Sequence, residues 1–114
     1  MANAVLLALS TFPDVETATR VSEELVGARL VACANIIGAP VRSLYHWRGN
    51  LETSEETMVF FKTTADCFAA FQAKLEELHP YEVPEIISFE ATDGLPAYLS
   101  WVHESTTRPA PNEP

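Results

Sequence analysis

The sequence predicts an α+β domain in which two helices cover one face of a four-stranded antiparallel sheet. Apolar runs too short for helices, two segments with apolar residues at helical spacing, and a βαββαβ chain order carry that reading. The first strand is the run Ala4-Val5-Leu6-Leu7-Ala8-Leu9, whose lack of polar alternation suits a strand covered on both faces. Thr11, Pro13 and Asp14 then supply helix-start chemistry, and Val15, Ala18, Val21 and Leu25 recur at helical spacing, predicting a first helix that ends near Gly27. Leu30 to Ile37 reads as a second strand, broken by Gly38 and Pro40 and resumed where Val41, Ser43, Tyr45 and Trp47 alternate with Arg42, Leu44, His46 and Arg48. Arg48-Gly49-Asn50 predicts a turn, and Thr57 to Thr63 a third strand folded back along the second as a long hairpin. Thr63 and Asp66 repeat the Thr11 and Asp14 spacing before a second helix with the stripe Phe68, Phe71, Leu75 and Leu78. Glu85 to Glu90 supplies the fourth strand, and Ala97 to Glu104 a short C-terminal helix. Together these elements predict the ferredoxin-like split βαβ arrangement.

The chain has 114 residues, the size of one domain; residues 1–105 are expected to form it, with 106–114, rich in proline, as a disordered tail. A hydrophobic content of 47% is enough for a packed interior. The formal net charge of -9 argues against nucleic acid as a partner, because affinity for phosphates comes from Lys and Arg. The opening MANAVLLALSTFPD lacks a basic start, and its apolar run is too short to span a bilayer, so no membrane insertion and a cytoplasmic location are expected. Cys33 and Cys67 have no CxxC spacing, and reduced thiols are their expected state. The hairpin adds Tyr45, Trp47, Met58 and Phe60 to a sheet already richer in apolar residues than two helices can cover, which predicts self-association.

Several separated blocks carry a family resemblance. They are Ala28-Arg29-Leu30-Val31-Ala32-Cys33-Ala34-Asn35; then Ser43-Leu44-Tyr45-His46-Trp47-Arg48-Gly49 with Glu52, Glu56 and Lys62-Thr63; then His79-Pro80-Tyr81-Glu82-Val83-Pro84-Glu85-Ile86-Ile87; and Tyr98-Leu99-Ser100-Trp101. In their order and spacing the chain resembles the CutA family of divalent-cation tolerance proteins from about Val5 to Trp101. The resemblance implies a compact homotrimer with sheets packed edge to edge and hairpins embracing neighbouring subunits, an architecture similar to the PII signalling proteins. It also implies a link to copper and other divalent cations, and it establishes no catalytic reaction.

The chemistry-bearing residues allow two readings each. Cys33 is a soft ligand suited to copper(I), or a small hydrophobe in a central strand; Cys67 lies outside the family blocks and is assigned no role. His79 and Glu82 offer an imidazole and a carboxylate acceptable to copper(II), zinc or nickel, and a neighbouring subunit or Cys33 would have to complete the set. Pro80 and Pro84 equally account for the segment as a helix stop and a stiff approach to the last strand. Lys62 shares strand parity with Met58 and Phe60 and needs a partner. One reading is an intersubunit salt bridge to Glu56 or Glu52; the other is an intersubunit pocket of Lys62, Trp47, Tyr81 and Tyr98 that takes a small anion, as in a PII-like sensor. His46 alternates with Tyr45 and Trp47 and reads as a solvated strand residue. No GxSxG, phosphate-binding glycine loop or nucleophile with its base is present, so an enzyme and an organic cofactor are not expected.

Overall fold

The computed structural model describes residues 3–107. Their elements run β1 (Val5–Phe12), α1 (Val15–Gly27), β2 (Cys33–Ile36), β3 (Val41–Trp47), β4 (Asn50–Thr64), α2 (Ala65–Leu78), β5 (Ile87–Glu90) and α3 (Pro96–Ser105). The sheet order is β2-β4-β1-β5, and β3 pairs with the outer half of β4. All pairings are antiparallel, as the split βαβ reading requires. The expected second strand becomes β2 and β3 on one partner: Cys33–Ile36 face Lys62–Val59, and Val41–Trp47 face Glu56–Asn50. The interruption at Gly38 and Pro40 divides them without changing the neighbour.

Several expected boundaries move: β1 runs on to Phe12 instead of ending at Leu9, β5 starts at Ile87 instead of Glu85, and two larger shifts have clear causes. β4 starts at Asn50 instead of Thr57, because Arg48 (φ 53°) and Gly49 (φ 85°) both lie in the left-handed region and close a tight two-residue turn that keeps the arms paired from Trp47 and Asn50 onward. Leu30, Val31 and Ala32 are not strand but a helix exit. Arg29 takes φ 61°, its N–H donates to the Val26 carbonyl, and the Leu30 N–H reaches back to Leu25. That pair of bonds is a Schellman closure, with Leu25 and Leu30 supplying its hydrophobic contact in the core.

Helix capping also differs from the Thr-x-x-acid expectation. Asp14 itself caps α1, its carboxylate accepting from the Thr17 N–H at 2.8 Å. At α2 the Thr63 hydroxyl instead donates to the Leu30 carbonyl at 2.6 Å. The cap of α2 comes from far away in sequence: Asn3 Oδ1 accepts from the Asp66 N–H at 2.7 Å, and the Ala4 carbonyl accepts from the Ala65 N–H at 2.8 Å.

The main core lies between the helices and one face of the sheet. Ala8 and Phe12 of β1, Val59 and Phe61 of β4, Val21 and Leu25 of α1, and Phe71 and Leu75 of α2 are buried there. Phe61 and Phe71 meet edge to face with centroids 5.3 Å apart. The alternate residues face the other way: register pairs Leu9 with Phe60 and Ile87, and Leu7 with Lys62 and Phe89. α3 covers only one end of this second face, where Val102 and Leu99 pack on Val5 and Ala32. Ile87 and Phe89 remain about half exposed, which leaves the surplus apolar surface the sequence leads one to expect. Among the described residues no helix is long and apolar enough to cross a membrane. Of the expected tail, residues 108–114 lie outside the described residues, while the Thr107 N–H donates to the Arg29 carbonyl at 2.9 Å.

Candidate functional site

The chain brings its chemistry-bearing residues to two separate places. The first is a cavity between the β3–β4 hairpin and the loop that follows α2. Pro80 disfavours helical geometry in the residue before it, so His79 ends α2 with extended backbone, φ -77° and ψ 135°. Its ring is thereby turned inward, stacked on Phe12 with centroids 4.5 Å apart. Nε2 lies 2.8 Å from the Thr11 carbonyl and Nδ1 accepts from the Tyr81 N–H at 3.2 Å, which defines the tautomer with the proton on Nε2. Burial pushes the His79 pKa below the usual histidine value, against the opposing pull of the Thr11 bond and the Glu56 charge.

That anchored ring aims Tyr81. Its hydroxyl donates to Glu56 Oε2 at 2.8 Å, and burial together with this bond raises the phenol pKa. Glu56 is 8% exposed although it sits on the hairpin arm of β4. The cavity, about 690 Å³, is walled by Tyr45, Trp47 and Tyr81 with Glu56, Glu82 and Glu85 at its polar positions. Arg48, presented by the tight turn, donates to Glu82 Oε1 at 2.7 Å and lies over the Trp47 ring, 5.1 Å from its centroid.

The second place is on the sheet face opposite α1 and α2. β2 sets Cys33 opposite Lys62 and Asn35 opposite Phe60. Lys62 Nζ donates to Asn35 Oδ1. The Cys33 sulfur lies 3.9 Å from that same oxygen and 3.8 Å from the Tyr98 hydroxyl, which α3 brings over the face. The Tyr98 pKa is raised by burial and by its contact with Cys33.

These two arrangements hang on a fold with known counterparts. The family model described as CutA1 divalent ion tolerance protein matches residues 6–105. The chain belongs to the CutA1 divalent ion tolerance family. The divalent-cation tolerance protein CutA of Pyrococcus horikoshii is 36% identical over 91% of this chain and 100% of its own length. Among solved structures, CutA from Xylella fastidiosa superposes with a TM-score of 0.87 at 38% identity, covering 91% of this chain and 99% of that one. The divalent cation tolerance protein of Thermus thermophilus does so with 0.87 at 35% identity, covering 90% and 99%.

Within this CutA1 chain the three metal candidates stand apart. Cys33 is beside Lys62, at the stretch of β1 that holds Leu7, whereas His79 touches Thr11 and Phe12 at the other end of that strand. Glu82 is engaged by Arg48. Among the described residues no group of three or more His, Cys, Asp or Glu is arranged to hold a metal ion. The pocket candidates divide as well: Trp47 and Tyr81 line the cavity, while Lys62 and Tyr98 surround Cys33. Inside one chain Glu56 takes Tyr81 as its partner, and Glu52 lies opposite Tyr45 far up the hairpin from Lys62. Cys67 is buried in α2.

Sequence reasoning did not single out Asn35, Tyr45 or Arg48 as site residues. Strand parity with Cys33 could have found Asn35, and parity with Trp47 could have found Tyr45. Nothing local marks Arg48, whose role depends on a glutamate 34 positions away.

Proposed function

We propose that this chain acts in divalent-cation tolerance as a non-enzymatic, cytoplasmic homotrimer that binds copper or another divalent cation weakly at subunit boundaries. The match across residues 6–105 supports the cation link. The half-exposed second face of the sheet supports assembly, since Ile87 and Phe89 on β5 and the outer edge of β3, unpaired among the described residues, give a neighbouring copy both apolar area and backbone partners. Cys33 is the donor best placed for this role: the residue is half-buried on that face and, among the described residues, its sulfur makes only long contacts. Glu82 and His79 would join such a site only by giving up the Arg48 ion pair and the Thr11 and Tyr81 bonds. That cost is the physical reason for weak binding.

Calorimetric titration of the tag-free protein with copper, in parallel with Cys33→Ser and His79→Ala and with the oligomer mass checked in each, tests the reading. Saturable binding lost in Cys33→Ser while the trimer persists is expected. No saturable binding at micromolar protein, or binding unaffected by both substitutions, overturns it.

A second reading, a PII-like sensor with an intersubunit anion pocket, is favoured by one observation. Lys62 points its ammonium at an amide, with no carboxylate against it among the described residues. A thermal-shift screen of metabolite anions should then give hits that vanish in Lys62→Met, and a screen without Lys62-dependent hits removes this reading.

A further inference from the structure

We propose that the cavity under the hairpin is a binding site for a small organic ammonium ion, with Glu56 as its counter-charge and the Tyr45, Trp47 and Tyr81 rings as its walls. The volume, about 690 Å³, is in the range of small-molecule sites. Every charged side chain lining it is a glutamate, so an anion would meet repulsion there.

Glu56 is the telling group. It is 92% buried, its Oε2 is taken by the Tyr81 hydroxyl, and its Oε1 accepts no hydrogen bond among the described residues. A mostly buried carboxylate favours a donor on each oxygen, from water or from a ligand. Unlike the polar oxygens sealed in the core at Ser10, Ser22 and Thr64, Glu56 borders open cavity space, where a ligand can supply that donor.

The chain already displays the same chemistry next door. Arg48 lies over Trp47 and is held by Glu82, so one aromatic ring and one carboxylate clamp one cation. Tyr81 with Glu56 repeats the aromatic-carboxylate half of that clamp and lacks the cation. A hydrated divalent metal is a poorer match, because the Tyr45 and Tyr81 hydroxyls are engaged by Ser54 and Glu56 and no group of three or more His, Cys, Asp or Glu is arranged to hold a metal among the described residues. A primary ammonium satisfies both demands: its N–H donates to Oε1, and its charge and alkyl chain lie against the rings. The site does not depend on Cys33, although Glu82, which the metal reading could draw in, also lines the cavity.

The test is a titration of the full-length, tag-free protein with n-butylammonium chloride, followed through the Trp47 indole N–H resonance, with Trp101 as the internal control. Sodium butyrate, tetramethylammonium chloride and zinc chloride are run as separate arms. Saturable movement of Trp47 alone is expected, weaker for tetramethylammonium, absent for butyrate, and weakened about tenfold or more in Glu56→Gln. Should Glu56→Gln fail to fold, Tyr45→Ala and the wild-type arms still decide. Equal binding of butyrate, unchanged binding in Glu56→Gln, displacement by zinc at lower concentration, or no movement at millimolar ligand overturns the proposal. A silent wild type combined with dissociation of the Glu56→Gln oligomer overturns it in favour of a side chain from a neighbouring copy filling the cavity.

Discussion

His79 shows how one side chain can be legible as important and still be misread in kind. Its neighbours Pro80, Tyr81 and Glu82 mark the segment in the sequence, yet both ring nitrogens are spent on backbone partners, and the ring works as a hinge pin between β1 and the loop. Protonating Nδ1 would abolish its acceptance of the Tyr81 N–H. Because burial lowers the folded pKa, the unfolded chain binds this proton more readily; stability is complete above the unfolded value of about 6.5 and is lost as pH falls from there toward the folded pKa. Chemical denaturation at a series of pH values should show that loss in the wild type and a flatter profile in His79→Gln; equal slopes would mean that the ring titrates as in the unfolded chain. Tyr81→Phe should cost about 1–2 kcal/mol in urea denaturation, since it strips the carboxylate of a buried glutamate of the donor at 2.8 Å, with water in the open cavity taking up some of the loss. A change within error would show that water replaces the phenol completely.

The elements themselves were largely readable, because apolar period is a local property. Val15, Ala18, Val21 and Leu25 announce α1, and the stripe with Phe71 and Leu75 announces α2. Their ends were less readable because tertiary partners set them. Residues Leu30 to Ala32 look like strand on hydrophobicity alone, but the Schellman bonds at Arg29 and Leu30 hold the chain off the sheet until the Ala32 N–H reaches the Lys62 carbonyl and β2 begins at Cys33. The cap of α2 by Asn3 is invisible to any short window. Arg29 stands in a left-handed position, where a side chain is costly. Arg29→Gly should therefore raise stability by about 0.5–1 kcal/mol, the relief of strain outweighing the added freedom of the unfolded chain. A fall in the thermal midpoint would indicate that the Arg29 side chain makes compensating contacts.

For the whole molecule, the balance of apolar area against helix cover was predictable from composition, and the fold leaves Ile87 and Phe89 about half exposed on the open face. If that face is where copies meet, Phe89→Glu should convert the assembly to monomers in sedimentation without unfolding the chain, and a persistent oligomer would place the contact elsewhere. The βαββαβ order, the presence and apolar faces of the helices and the sidedness of the sheet were determined by the sequence alone, since each follows from periodicities within one element or from the number of elements available to cover a face. Only the tertiary structure decided that His79 and Cys33 lie at different ends of the sheet, that Lys62 meets Asn35, and that Glu56, Tyr81 and Trp47 close round one cavity. The register between β4 and its partners and the turn of the loop after α2 bring together residues far apart in the chain. No local pattern encodes which side chains will face one another across that distance.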